Sequence, residues 1–236
     1  MPEPTTAGIW AWRHPRAQGA AGRCIGHTDL RVDPRRAKGL ARRIQATARR
    51  HGLPHEIHTS PLRRCADVGR WLRRWGWKHF IDTALSEMDF GRWDGRPWDQ
   101  IGRAEVDDWC AAFTSSAPGG GETLDAMLAR AAEWRDPRWS EAPVLVVAHA
   151  GWMLARRWRC EHGNTPPSAD TWPLPPQHEA LWLLPDTSSA SVEISNGSGY
   201  ADDFVSLDAQ PPLWMSETIL DGQTRIAFTL KSVHRL

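Results

Sequence analysis

The sequence predicts an α/β fold: a three-layer α-β-α sandwich around a mainly parallel central sheet, followed by a C-terminal β-containing extension. Three observations carry this expectation. Two apolar runs, Ile9-Trp10-Ala11-Trp12 and Val144-Leu145-Val146-Val147-Ala148, lack polar alternation, as do strands covered on both faces. The stretches between and after them repeat apolar residues at helical spacing. Both runs stop on a histidine, in Arg13-His14-Pro15 and His149-Ala150-Gly151, and in open α/β sheets the ligand crevice lies just beyond the carboxyl ends of such strands.

A chain of 236 residues buries one sizeable core, so residues 1–185 are read as the main domain and 186–236 as an extension. A net charge of +1 gives no global attraction to nucleic acid or membrane. It hides an asymmetry: residues 31–78 hold 14 Lys and Arg against Asp33, Glu56 and Asp67, which predicts one strongly basic face. Cys24, Cys65, Cys110 and Cys160 form no Cys-x-x-Cys pair and no zinc-ligand spacing. Reduced thiols are expected, with no metal and no cofactor. The N-terminal residues lack a basic segment followed by an apolar one, and no apolar run reaches membrane-spanning length. The expectation is a cytoplasmic protein with no membrane partner. The 15 tryptophans are assigned mainly to packing.

After His14 a loop of small residues leads into Gly22-Arg23-Cys24-Ile25-Gly26-His27-Thr28-Asp29-Leu30, too rich in turn formers for a regular element. Asp33-Pro34 is a helix start, and Ala37, Leu40, Ala41, Ile44 and Ala48 form one apolar face ending near Gly52. A short strand follows at Glu56-Ile57-His58-Thr59. Ser60-Pro61 then signals a second helix, with Leu62, Cys65, Val68, Leu72 and Trp75 inward and Arg64 in its first turn, where free amides and dipole already favour anions. Residues 80–85 read as a poorly defined strand, and 87–95 as a loop of acids among aromatics and glycines. A helical insert occupies 96–113, Pro118-Gly119-Gly120-Gly121 breaks the chain, and a helix runs from 122 to about 134. The second apolar run and the helix after it repeat the geometry proposed at His14. A proline-rich segment leads to a last sheet strand at 180–184.

Five of these stretches, in this order, resemble the histidine phosphatase superfamily, the phosphoglycerate mutase-like proteins. They are Arg13-His14-Pro15, with proline where the family commonly has glycine; Ser60-Pro61-Leu62-Arg63-Arg64; the acidic loop from Glu87 to Gly95; Gly120-Gly121-Glu122; and His149 after the second apolar run. The resemblance spans roughly residues 8–185. The acidic loop and residues 22–30 look most like the α-ribazole phosphatase branch. The resemblance implies a metal-independent phosphomonoesterase, with α-ribazole 5′-phosphate as preferred substrate and sugar phosphates or phosphoproteins as alternatives. It implies that His14 is the nucleophile and becomes phosphorylated. Arg13, Arg64 and His149 would bind the phosphoryl group, and Glu87 would protonate the leaving oxygen and then activate water. Asp89 and Glu122 stand as alternative acids. Arg23, His27 and Thr28 are substrate-loop candidates, and Trp93 and Trp98 either flank the mouth or pack the insert. Only 35 positions separate Glu87 from Glu122, an insert short enough to leave a phosphoenzyme open to water, which favours a phosphatase over a mutase.

A reading from another class is a binding module that uses the basic face, with Trp71, Trp75 and Trp77 among Arg70, Arg73, Arg74 and Lys78, for nucleic acid or another polyanion. Solvated arginines on two amphipathic helices account for the same pattern, so nucleic acid is not the expected partner. In the tail, residues 191–194 and 225–231 alternate apolar and polar side chains. They are expected to form a small antiparallel addition packed on the main domain or on a second subunit, the latter making a homodimer.

Overall fold

The computed structural model describes residues 8–135 and 143–184. Five strands form one sheet in the order β3-β2-β4-β1-β5. They are β1 (Ile9–Arg13), β2 (Glu56–Thr59), β3 (Lys78–Ile81), β4 (Val144–Ala148) and β5 (Leu181–Leu184). β1 to β4 run parallel, and β5 returns antiparallel along β1. Four helices cover the sheet, α1 (Pro34–His51), α2 (Arg63–Arg74), α4 (Leu124–Glu133) and α5 (Ala150–His162), while α3 (Arg103–Ala111) lies in the insert. The α/β expectation and the mainly parallel sheet hold.

The period-two geometry of strands divides the apolar runs between two cores. Ile9 and Ala11 of β1 with Val144, Val146 and Ala148 of β4 face the layer that contains Leu128 of α4 and Trp152 of α5. Trp10 and Trp12 with Leu145 and Val147 face Leu40 and Ile44 of α1 and Leu72 of α2. Alternation therefore exists in strands whose sequence shows none, because both faces are dry. A third cluster of Cys24, Trp93, Ile101 and Trp109 builds the insert.

The ends of α1 follow local chemistry. Asp33 accepts from the Arg35 amide at 2.8 Å, Pro34 opens the helix, and Gly52 closes it with left-handed φ of 63°. Two expected elements shift. α2 starts at Arg63, not at Pro61, because Ser60 Oγ accepts from the Leu62 amide at 3.2 Å in a turn that precedes the helix. The strand expected at 80–85 lies at Lys78–Ile81, and 83–85 is a 3₁₀ turn capped by Asp82. β3 is an edge strand with Ile81 56% exposed, so its apolar content marks it poorly. Trp71 on the basic face has Lys38 Nζ 4.9 Å and the Arg74 guanidinium 4.8 Å from its ring centroid, its own cations covering a surface that a base would stack on. No helix among the described residues is long and apolar enough to cross a membrane. The tail segments 191–194 and 225–231 lie outside the described residues.

Candidate active site

Register brings the two histidines together. Arg13 of β1 is level with Ala148 of β4, so His14 and His149 each lie one residue past adjacent strand ends. The His14 amide donates to the Ala148 carbonyl at 3.0 Å, and the imidazole centroids are 5.0 Å apart. The chain leaves β1 toward α1 on one face of the sheet and leaves β4 directly into α5 on the other. The two histidines sit where these connections diverge, the position expected of ligand sites in open α/β sheets.

His14 is 7% exposed. Burial, then the Arg64 and Arg13 charges, hold it well below the usual histidine range, so the ring is neutral. Its Nδ1 lies 2.8 Å from the Pro15 carbonyl oxygen. Only a protonated Nδ1 makes that bond, which leaves the Nε2 lone pair free. Proline at 15 lacks an amide to offer a phosphoryl oxygen, yet its carbonyl selects the nucleophilic tautomer.

Arg64 is 1% exposed and occupies the second position of α2. Its Nε donates to His149 Nδ1 at 3.2 Å, one terminal nitrogen donates to the Thr28 carbonyl at 2.8 Å, and the other donates to the Gly26 carbonyl. His149 Nδ1 is thereby an acceptor, and its proton resides on Nε2, which lies 3.4 Å from Cys65 Sγ. Burial and the Arg64 charge keep this ring neutral too. Arg13 donates to the Pro176 carbonyl at 2.5 Å, while its buried Nε has no hydrogen-bond partner. Burial lowers its pKa to about 10, opposed by the Glu87 charge. An orphaned, buried guanidinium donor next to His14 is a group that an anion could satisfy.

The three candidate acids separate cleanly. Glu87 accepts from the Gly151 amide at 3.2 Å and from the Met88 amide at 3.1 Å, so its carboxyl group sits at the N-terminus of α5, just after His149. Gly151 makes room for it: a Cβ there would lie 2.2 Å from Glu87 Oε1. Asp89 is turned to the Gly91 amide at 2.8 Å, and Glu122 is held by Arg130 at 2.9 and 2.8 Å. A cleft of about 610 Å³ runs along the same segment, lined among others by His27, Leu62, Thr83, Ser86, Asp89 and Glu122. Its walls include Asp89 and Glu122 but neither Glu87 nor the two histidines.

The loop candidates serve mainly to join the two loops. Asp94, absent from the expected site, accepts from the amides of Gly26 and Thr28 at 3.1 Å each, from the His27 amide, and from the Thr28 hydroxyl. Burial raises its pKa, but the Thr28 hydroxyl and these amides outweigh burial and hold it below the usual range. Arg23 donates to the Gly95 carbonyl at 2.9 Å. The His27 Nε2 is 2.9 Å from the Glu87 carbonyl oxygen. Trp93 is buried and donates to Glu105 at 3.1 Å, and Trp98 packs on the same insert cluster; packing is their role.

One residue escaped sequence reasoning altogether. His178, in the proline-rich stretch before β5, lies 5.4 Å from the His14 ring, and its Nδ1 is 3.2 Å from the His14 carbonyl oxygen. Burial and the Arg13 charge bring its pKa down to about 4. The stability sign follows. His14, His149 and His178 have folded pKa values below the unfolded value near 6.5, so as pH falls below about 6.5 the unfolded chain binds protons that the folded chain refuses. Each costs up to about 1.4 kcal/mol per pH unit. Thermal melts should therefore fall by at least about 5 °C between pH 6.5 and 5. His178→Gln should flatten the slope, and a pH-independent melt across that window would refute the assignment of neutral histidines.

Comparison with known proteins agrees with this geometry. The family model described as histidine phosphatase superfamily, branch 1, matches residues 9–183. The matched family and the phosphatases among its solved neighbours define the class, a phosphoric monoester hydrolase. The chain belongs to the histidine phosphatase superfamily. Among solved structures, it is similar to a mycobacterial hydrolase with 26% identity over 65% of this chain and 80% of that one, at a TM-score of 0.53. It is also similar to mycobacterial glucosyl-3-phosphoglycerate phosphatase, with 26% identity over 65% and 79% and a TM-score of 0.51. A phosphoglycerate mutase from Thermus thermophilus shares the fold at 24% identity over 68% and 88%, with a TM-score of 0.51. No curated protein matches the chain significantly.

Proposed function

We propose that this enzyme hydrolyses phosphomonoesters through a phosphohistidine on His14. The observation that carries the reading is the neutral, Nδ1-protonated His14 ring, 5.0 Å from a second neutral imidazole and beside the buried Arg64 and half-buried Arg13 guanidinium groups. The His14 Nε2 lone pair attacks phosphorus, the bond from phosphorus to the ester oxygen breaks, and that oxygen takes a proton from Glu87. Water then gives a proton to the Glu87 carboxylate and attacks phosphorus. The phosphorus–nitrogen bond breaks, inorganic phosphate leaves, and His14 is restored. Arg13, Arg64 and the His149 Nε2 proton compensate the charge on the equatorial oxygens, the chief demand of phosphoryl transfer.

Two substrate assignments have support. The likeness of residues 22–30 and of the acidic loop to the α-ribazole phosphatase branch points to α-ribazole 5′-phosphate. A solved relative named as glucosyl-3-phosphoglycerate phosphatase points to a glycosylated phosphoglycerate. The purified protein should hydrolyse p-nitrophenyl phosphate in the presence of a chelator and accumulate an acid-labile, alkali-stable phosphoryl group when quenched during turnover. A strict requirement for added divalent metal refutes the mechanism. A panel of α-ribazole 5′-phosphate, glucosyl-3-phosphoglycerate, sugar phosphates and a phosphopeptide ranks the substrates by kcat/KM. Rapid interconversion of 2- and 3-phosphoglycerate would make the enzyme a mutase instead.

A further inference from the structure

The segment that carries Glu87 belongs to no strand or helix between the 3₁₀ turns at Thr83–Leu85 and Gly91–Trp93. Its backbone carbonyls must therefore find partners elsewhere or in water. One side chain of α4 supplies two of them: an Arg130 terminal nitrogen donates to the Ala84 and Ser86 carbonyls, both at 2.9 Å. The other two guanidinium nitrogens are taken by Glu122, Nε to Oε1 at 2.9 Å and the second terminal nitrogen to Oε2 at 2.8 Å. This bidentate pair fixes the plane of the guanidinium and so the direction of its remaining donors. Glu122 adds a third grip, because its amide donates to the Asp89 carbonyl at 2.8 Å. The chain is thus held at 84, 86 and 89, on both sides of Glu87.

The pair is half-buried, with side chains 22% and 18% exposed, so it exceeds a surface ion pair in geometry. Glu122 is held in this pair at the wall of the cleft. Glu87 itself reaches its position by a single long bond to the Gly151 amide and one to its neighbour Met88. Its backbone, rather than its carboxylate, is what the protein holds firmly.

We infer that Arg130 and Glu122 form a clasp that positions Glu87 for proton transfer to the leaving oxygen. The inference rests on the phosphohistidine reading above and deepens it. Arg130 is a positioning residue, acting through Glu87 on the leaving group. Its effect must therefore scale with how badly the leaving oxygen needs a proton. An alkyl phosphomonoester needs one; p-nitrophenolate leaves without one. The measured quantity is kcat/KM, which reports steps up to phosphoenzyme formation and excludes the later attack of water.

The experiment compares Arg130→Lys, which keeps the charge and loses the fork, with Glu122→Gln and with Glu87→Gln, on an alkyl phosphate and on p-nitrophenyl phosphate. Melting temperatures establish that each variant is folded at the assay temperature, and Glu122→Gln, nearly isosteric, serves if Arg130→Lys does not fold. The clasp predicts that kcat/KM for the alkyl phosphate falls roughly 30- to 100-fold in both clasp variants, within the scale of general acid catalysis. For p-nitrophenyl phosphate the fall should stay under about threefold. Equal losses on the two substrates, or no loss on either, overturn the clasp while a selective Glu87→Gln leaves the acid in place. If Glu87→Gln slows both substrates alike, the assignment of the acid fails, and the clasp fails with it.

Discussion

His14→Ala is expected to lower phosphomonoester turnover by at least about 10⁴-fold, the scale on which removal of a covalent nucleophile acts. The phosphoryl group trapped on the wild-type enzyme during turnover should vanish in the same variant. The fold should survive. The imidazole makes one hydrogen bond, to its own neighbour Pro15, and it faces the repulsive Arg64 and Arg13 charges when protonated. The variant should therefore melt within a few degrees of wild type at pH 7.5 and lose stability less steeply as the pH falls below 6.5, because one refused proton has been removed from the linkage. Activity within tenfold of wild type, or a phosphoryl group that persists, would show that another residue attacks phosphorus.

Arg64→Lys is expected to cost more than its conserved charge suggests. The guanidinium spans three acceptors in different directions: His149 Nδ1, the Thr28 carbonyl and the Gly26 carbonyl. A lysine ammonium is a compact point charge that cannot reproduce this fork. Buried carbonyls left unpaired cost about 1–3 kcal/mol each, so the melting temperature should drop on the order of 10 °C. Loss of the Nε bond also frees His149 to adopt the other tautomer, placing a lone pair where the phosphoryl oxygen needs a donor. Assayed well below its melting point, the variant should show kcat/KM reduced roughly 10³-fold. Proton NMR of the imidazole nitrogens would report the tautomer directly. Unchanged tautomer and near-wild-type kcat/KM would assign Arg64 to scaffolding alone.

Much of the site is local information and was therefore legible. His14 and His149 end two apolar runs, and Arg64 sits in a first helical turn announced by Ser60-Pro61. These features depend on nearest neighbours along the chain. His178 depends instead on β5 returning antiparallel beside β1, with Leu181 opposite Trp12, which carries the residues before β5 past the end of β1. Nothing local in Pro175-Pro176-Gln177-His178 marks that return. Asp94 was hidden for a similar reason: its role appears only when residues 26–28 and the acidic loop are packed so tightly that a Cβ on Gly26 would lie 2.1 Å from the Met88 carbonyl oxygen. Gly151 stands two residues past His149 in the sequence. Its meaning, room for the Glu87 carboxylate, required a residue 64 positions away.

The pairing of β1 with β4 acts as a vernier for the chemistry. His14 and His149 are neighbours because Arg13 is level with Ala148, so the spacing of the proposed nucleophile and its partner imidazole is a reading of strand alignment. A slip of one residue would turn Trp10 and Trp12 into the opposite core, which the packing forbids. A slip of two would restore the faces but move one histidine along the sheet by roughly 7 Å. No intermediate setting exists. Among mutations buried in the strands, one that changed this alignment would abolish turnover, whereas repacking within the same alignment would lower it by degrees.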